Sequence, residues 1–354
     1  MRQEEKGTTT LWFGIVAVMI AIYAVLDGFD MGVGIVYLFA ARTDAERRRL
    51  LASIGPVWDG NEVWLLAGGG TLFFAFPAAY ASGFSGFYLP LMMVLWLLIL
   101  RGTAVEFRNH LVSPVWTPFW DVVFAGSSTL LALFFGAALG NVVRGVPIDS
   151  AGRFFLPLWT NFALGPNPGI LDWFTIMLGV SSVAAMTMHG ALWATTKSGG
   201  ELQARVRKIA NGAWTGVVLL SVVLALVVPM TLPHFASRYA AHPWGLVFPV
   251  FAMGSLVGAG TLSRASQDGR AFLCSCGYIV GMLVAAAFGH YPYLLPAIGS
   301  QDGGLTILNA STSSVALTTA LFWFVPGMML ATAYFVFAYR NLLSGAGEPA
   351  ERRA

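Results

Sequence analysis

Four carboxylates stand where a lipid-facing sequence would carry leucine. Asp27 and Asp30 lie three residues apart in "VLDGFDMG", inside a long apolar run, and Asp59 and Glu62 repeat that spacing in "SIGPVWDGNEVWLL". Residues three apart on a helix share a face, so each pair would present two carboxyls to one surface. An Asp at the centre of a membrane helix costs about 2.5–3.5 kcal/mol on insertion scales, and such residues face the protein interior, find partners and mark ion or proton routes. Desolvation favours the neutral acid, so a carboxyl in such a place can both take and release a proton.

Each acid also has a structural alternative. Asp59 and Glu62 could cap the start of a helix, where negative charge is favoured. Asp30 lies between Gly28 and Gly32, a small-xxx-small step suited to close helix packing, and could be a paired acid at a helix contact. "LRGTAVEFRNH" supplies Arg101, Glu106 and Arg108 at the end of a later apolar run. Arg101 comes first on leaving the membrane and is the best candidate partner for the acids. The alternative is that all three are headgroup anchors.

The elements that hold these residues are membrane helices. The chain has 354 residues, 57% hydrophobic and 10% charged, with a mean hydropathy of +0.71. Soluble domains carry about 25% charged residues. Spans of about 20 apolar residues are expected at 11–40, 57–77, 85–105, 119–140, 170–196, 209–232, 244–263, 271–290 and 314–339. The first is too long for the apolar core of a signal peptide and is expected to stay. Nine spans give an all-α polytopic protein with its termini on opposite sides. Alternate loops hold most of the 20 Lys and Arg residues, while the others hold Arg2, Lys6, Arg144, Arg153 and Arg238. By the positive-inside rule the N-terminus is outside and the C-terminus cytoplasmic.

"TDAERRRLLASIGPVWDGNEVWLL" and "SGGELQARVRKIANGAWTGVVLL" both run from a basic helix into Trp-x-Gly and a new span. They suggest two four-helix units, 1–140 with the acids and 170–290. Extracytoplasmic loops at 141–169 and 291–313 separate these from a ninth helix and tail at 314–354.

Redox ligands are scarce. Haem needs His, Met or Cys ligands, and among His110, His189, His234, His242 and His290 only His189 lies well inside a span. No phosphate loop or nucleophile motif is present, "AGGG" at 67–70 reads as a glycine run in a helix, and nothing points to nucleic acid. Cys274 and Cys276, two apart on a helix, point away from each other and read as packing residues. "HYPYLLPA" at 290–297 reads as an interfacial belt and turn. Trp58, with Trp64, Trp96 and Tyr88, could touch a quinone. The residues offer acids that move protons and no redox centre. A proton-coupled secondary transporter would also use such acids, though the second half has almost none.

"LDGFDMGVG", "RRRLLASIGPVWDGNEVWLLAGGGTLFFAFPAAYASGFSGFYLPL", "LRGTAVEFR" and the later "YPYLLPA" and "LTILNASTSS" closely resemble subunit II of the cytochrome bd quinol oxidases. The resemblance is dense over 11–110, thinner in the middle and resumes near the end. It implies a respiratory terminal oxidase of the bacterial or archaeal cytoplasmic membrane that oxidises quinol and reduces O2 to water. Haems b and d and the quinol site would belong to the partner, subunit I. Some members hold a structural quinone in subunit II, and a small single-helix accessory subunit is a further partner to look for. The Asp of Trp-Asp-Gly-Asn, Asp59 here, is the one usually placed on the cytoplasmic proton path. Near His189 some members carry Gln.

Overall fold

The computed structural model describes residues 2–111, 113–149, 152–298 and 303–344. In chain order its elements are α1 (Arg2–Ala40), α2 (Asp44–Ala52), α3 (Trp58–Ala75), α4 (Pro77–Gly86), α5 (Tyr88–Phe107), α6 (Trp116–Arg144), α7 (Trp173–Lys197), α8 (Gly200–Thr231), α9 (Pro233–Ala241), α10 (Val247–Arg264), α11 (Asp268–His290), β1 (Tyr293–Pro296), β2 (Gly304–Thr306) and α12 (Ser314–Ser344). The nine expected spans fall on α1, α3, α5, α6, α7, α8, α10, α11 and α12. Eight of these helices are long and apolar enough to cross a membrane. The remaining one, α3, is a helix of 18 residues diluted by the polar residues at its start and the glycine run at 68–70. The expected tail beyond 344 lies outside the described residues.

Helix α1 is the hub, in contact with α3, α6, α7, α11 and α12. Its crossing with α7 is close because Gly32 meets Gly190. A Cβ on Gly32 would lie 2.0 Å from the Met186 carbonyl oxygen and 2.7 Å from the Gly190 Cα. One buried apolar core runs from Phe29, Val33 and Tyr37 of α1 through Phe124 and Leu131 of α6 and Met188 and Leu192 of α7 to Leu256 of α10 and Ile279 of α11. Both halves of the chain share it.

Between α1 and α3 the chain turns back into the bundle. Thr43 and Glu46 form a capping box that starts α2. Leu50, Leu51, Ile54 and Val57 are buried, and the Trp193 indole donates to the Ser53 carbonyl at 3.2 Å. Trp193 itself stacks on Phe29. Helix α3 therefore starts level with residues 26–30 of α1, about 15 Å from that helix's end at 1.5 Å per residue. The buried residues of α2 and the Trp193 contact hold the start of α3 against α1. The second basic stretch differs: it runs without a break into α8.

At the other end the two long loops are packed on each other. Strands β1 and β2 pair antiparallel, so 291–313 holds a hairpin where a belt and turn were expected. Val146 donates to the Pro296 carbonyl and accepts from Ile298. Val146, Phe154, Leu156, Ile170 and Leu295 close over an apolar cap.

Candidate functional site

Asp27, Asp30 and Glu62 of the first two spans meet inside the bundle, while Asp59 stays exposed. The Arg101 guanidinium from α5 reaches between them: Nη2 donates to Asp27 Oδ1 at 2.6 Å and also to Glu62 Oε1. Asn61 Nδ2 donates to Asp30 Oδ2 at 2.8 Å and to the Leu26 carbonyl at 3.3 Å. Tyr339 of α12 donates to Asn61 Oδ1 at 2.8 Å. Tyr23, one turn before Asp27, has a hydroxyl buried without a hydrogen-bond partner among the described residues. Asp30 Oδ1 and Arg101 Nε and Nη1 are buried without a hydrogen-bond partner among the described residues.

Exposure falls stepwise through the acids. Asp59 is exposed and accepts from the Gly60 amide at 2.8 Å. The Glu62 side chain, one turn on, is 27% exposed. Asp27 and Asp30 are 0% and 1% exposed, and Arg101 is 2%. Two carboxyls, Asp27 and Glu62, thus share one guanidinium, with Asp30 beside them on Asn61, in a space of low dielectric. Removing ions from water costs several kcal/mol each unless charge and hydrogen bonds compensate. One Arg balances one negative charge, so a proton on the remaining acids lowers that cost.

Two candidates lie apart from this cluster. Glu106 is exposed near the end of α5, where its backbone carbonyl faces His110 Nδ1. Trp58 is half-buried against Gly102 of α5, with ring carbons 3.1 Å from where a Cβ would stand. It is outside an apolar cavity of about 260 Å³. That cavity lies between α3, α4, α5, α6 and β1, lined by Leu72, Gly83, Phe87, Val94, Phe135 and Leu295, with Asn141 as a polar member.

The sequence reading missed a second buried acid. Asp121 of α6 is 1% exposed and accepts from Tyr37 at 2.6 Å, Arg47 at 2.6 Å and Arg108 Nε at 2.7 Å. Arg108 is buried here and also reaches Asp44 at 2.7 Å, so it serves α2 and not the central acids. The Arg108 and Arg48 hydrogen bonds hold the Asp44 carboxyl below its usual range. The signal available was an Asp two residues into an aromatic-rich span start, "TPFWDVV". At the opposite end Arg144 pairs with Asp172, which caps α7 by accepting from the Phe174 and Thr175 amides at 2.9 Å.

His189 does not fit a haem. Its ring nitrogens are both engaged, Nδ1 with Ser275 Oγ at 2.7 Å and Nε2 with the Val25 carbonyl at 2.9 Å. Its ring is stacked on Phe272, and neither nitrogen is left for an iron. Among the described residues no group of three or more His, Cys, Asp or Glu could hold a metal ion. Cys274 and Cys276 are free thiols.

The chain is similar to known proteins along nearly its whole length. Residues 8–342 match the profile of the family described as cytochrome bd terminal oxidase subunit II. The chain is 31% identical to cytochrome bd-I ubiquinol oxidase subunit 2 of Escherichia coli K12, covering 92% of each chain. It is also 31% identical to cytochrome bd ubiquinol oxidase subunit 2 of Bacillus subtilis, covering 93% of this chain and 96% of that one. In fold it is similar to a chain of the bd oxidase from Geobacillus thermodenitrificans, with a TM-score of 0.73 at 18% identity, over 95% of this chain and 99% of the other. The profile match over nearly the whole chain and the two relatives at 31% identity make the assignment: this chain belongs to the cytochrome bd terminal oxidase subunit II family.

Proposed function

We propose that this subunit carries protons, and its partner electrons, in a membrane oxidase that takes electrons from quinol and gives them to O2. The bd oxidases are haem proteins, and subunit II implies a subunit I. In this reading haems b and d and the quinol site belong to subunit I, since His189 is committed elsewhere. Two quinols lose four electrons and four protons, and one O2 takes four electrons and four protons to become two waters. Quinol protons leave on the outer side while the protons for water come from the cytoplasm, so the reaction charges the membrane without a pump. This uses the orientation given by the basic loops, with the N-terminus outside.

The observation that carries the proposal is the graded series Asp59, Glu62, Asp27 and Asp30, from exposed to fully buried. Asp59 collects a proton, Glu62 receives it one turn further, and the Arg101 bridge couples Glu62 to Asp27. Asp30 and Asn61 hold the inner end. The apolar cavity is shaped to take an isoprenoid tail, which supports a structural quinone there better than at Trp58.

Asp27→Asn and Glu62→Gln in the assembled complex test this. Oxygen consumption coupled to proton uptake should fall by about tenfold or more, as for loss of a proton-transferring group, with the haem spectrum unchanged. Full turnover and uptake in both variants would refute the relay, and an unchanged rate in Asp59→Asn would remove Asp59 from it.

A further inference from the structure

We propose that His234 and His290 form a binding site for a late first-row transition-metal ion, with Zn2+ the simplest occupant. The pair lies at the hairpin end of the bundle, far from the acid cluster. His290 ends α11 and is 6% exposed. Its Nε2 lies 3.4 Å from the Leu294 carbonyl, which places the ring proton on Nε2 and leaves a lone pair on Nδ1. That Nδ1 is buried without a hydrogen-bond partner among the described residues, and so is His234 Nε2. Two orphaned imidazole nitrogens on neighbouring elements are uncommon, since buried polar atoms nearly always find partners.

The spacing is close to that of a shared ion. The ring centroids are 6.2 Å apart, with 63° between the planes. Two imidazoles bound tetrahedrally to one ion at about 2.0–2.1 Å put theirs about 5 Å apart, so binding draws the rings about 1 Å closer. A metal-bound His commonly donates its other ring N–H to a backbone carbonyl, as His290 does to Leu294. Phe235 packs edge-on against His234 and lies beside His290, shielding both rings. Arg238, one turn beyond His234, stacks on Phe288 and Tyr291 at 4.9 and 4.8 Å. Its charge opposes a dication, so affinity depends on both imidazoles being present.

The test uses the whole complex, stripped of loose metal with a chelator and titrated with Zn2+. Bound zinc is counted by mass spectrometry, and its ligands are read by X-ray absorption. The expected result is one ion bound through two imidazole nitrogens. His234→Gln and His290→Gln should each weaken it at least as much as an outer-shell change does, about 10–100-fold. If His290→Gln fails to assemble, the half-buried His234→Gln decides alone. Zinc binding of unchanged affinity and stoichiometry in His234→Gln, or an absorption spectrum without imidazole, would overturn the site.

Discussion

Arg101 decides the energetics of the acid cluster. Breaking a buried ion pair by removing one partner costs about 3–5 kcal/mol, because the other charge is left uncompensated. Arg101→Gln should therefore lower the melting temperature of the complex, and adding Asp27→Asn should restore part of the loss; thermal unfolding of the single and double variants checks this. Asp44 gives a pH effect with a definite sign. Its carboxyl is held low in the folded protein, so its pairs with Arg108 and Arg48 stabilise above the unfolded value near 3.9 and are lost as pH falls through the lower folded value. Asp44→Asn should flatten the decline of stability with acid in that window, measured as melting temperature against pH. The central acids were legible because an Asp within an apolar run stands out. Asp121 was not, since a charge near a span end is ordinary, and Tyr23 and Tyr339 look like any membrane tyrosine until Asp27 and Asn61 are placed against them.

At the scale of elements, close contact and empty space make opposite predictions for glycine. Gly190 meets the backbone of Gly32 and Val33 at 2.2–2.4 Å from an added Cβ. Gly190→Leu should separate α1 from α7 at a cost of about 1–3 kcal/mol or more, seen as loss of assembled complex in membranes. Gly83 has nothing within 4 Å of an added Cβ and lines the apolar cavity. Gly83→Phe should leave stability unchanged and reduce the quinone extracted with the purified complex, measured by chromatography of the extract. Span positions were readable from hydropathy alone. The inward course of α2 and the interlocked loops were not, because they depend on Trp193 reaching Ser53 and Val146 pairing with the hairpin, contacts distant in sequence.

At the scale of the whole molecule, one face of α3 carries exposed acids. Asp59 and the edge of Glu62 open on a face of α3 that also shows Val63 and Leu66, 52% and 75% exposed, about 15 Å from the arginine-rich end. Exposed acids at that depth are costly against lipid, which favours cover by the partner subunit. Val63→Trp should then reduce co-purification of subunit I, while Val222→Trp, 50% exposed on α8, should not. An equal yield of partner in both would place the interface elsewhere.

The depth at which α3 begins also bears on how the chain is made. Released singly from the insertion machinery, α3 would bring Asp59 and Glu62 into lipid at about 2.5–3.5 kcal/mol per buried acid, with few apolar residues to offset them. Helix α1 leaves the ribosome first and carries the matching Asp27 and Asp30, but the neutralising Arg101 arrives only with α5. Keeping these helices together until Arg101 arrives removes that cost, because its guanidinium pairs with both Asp27 and Glu62.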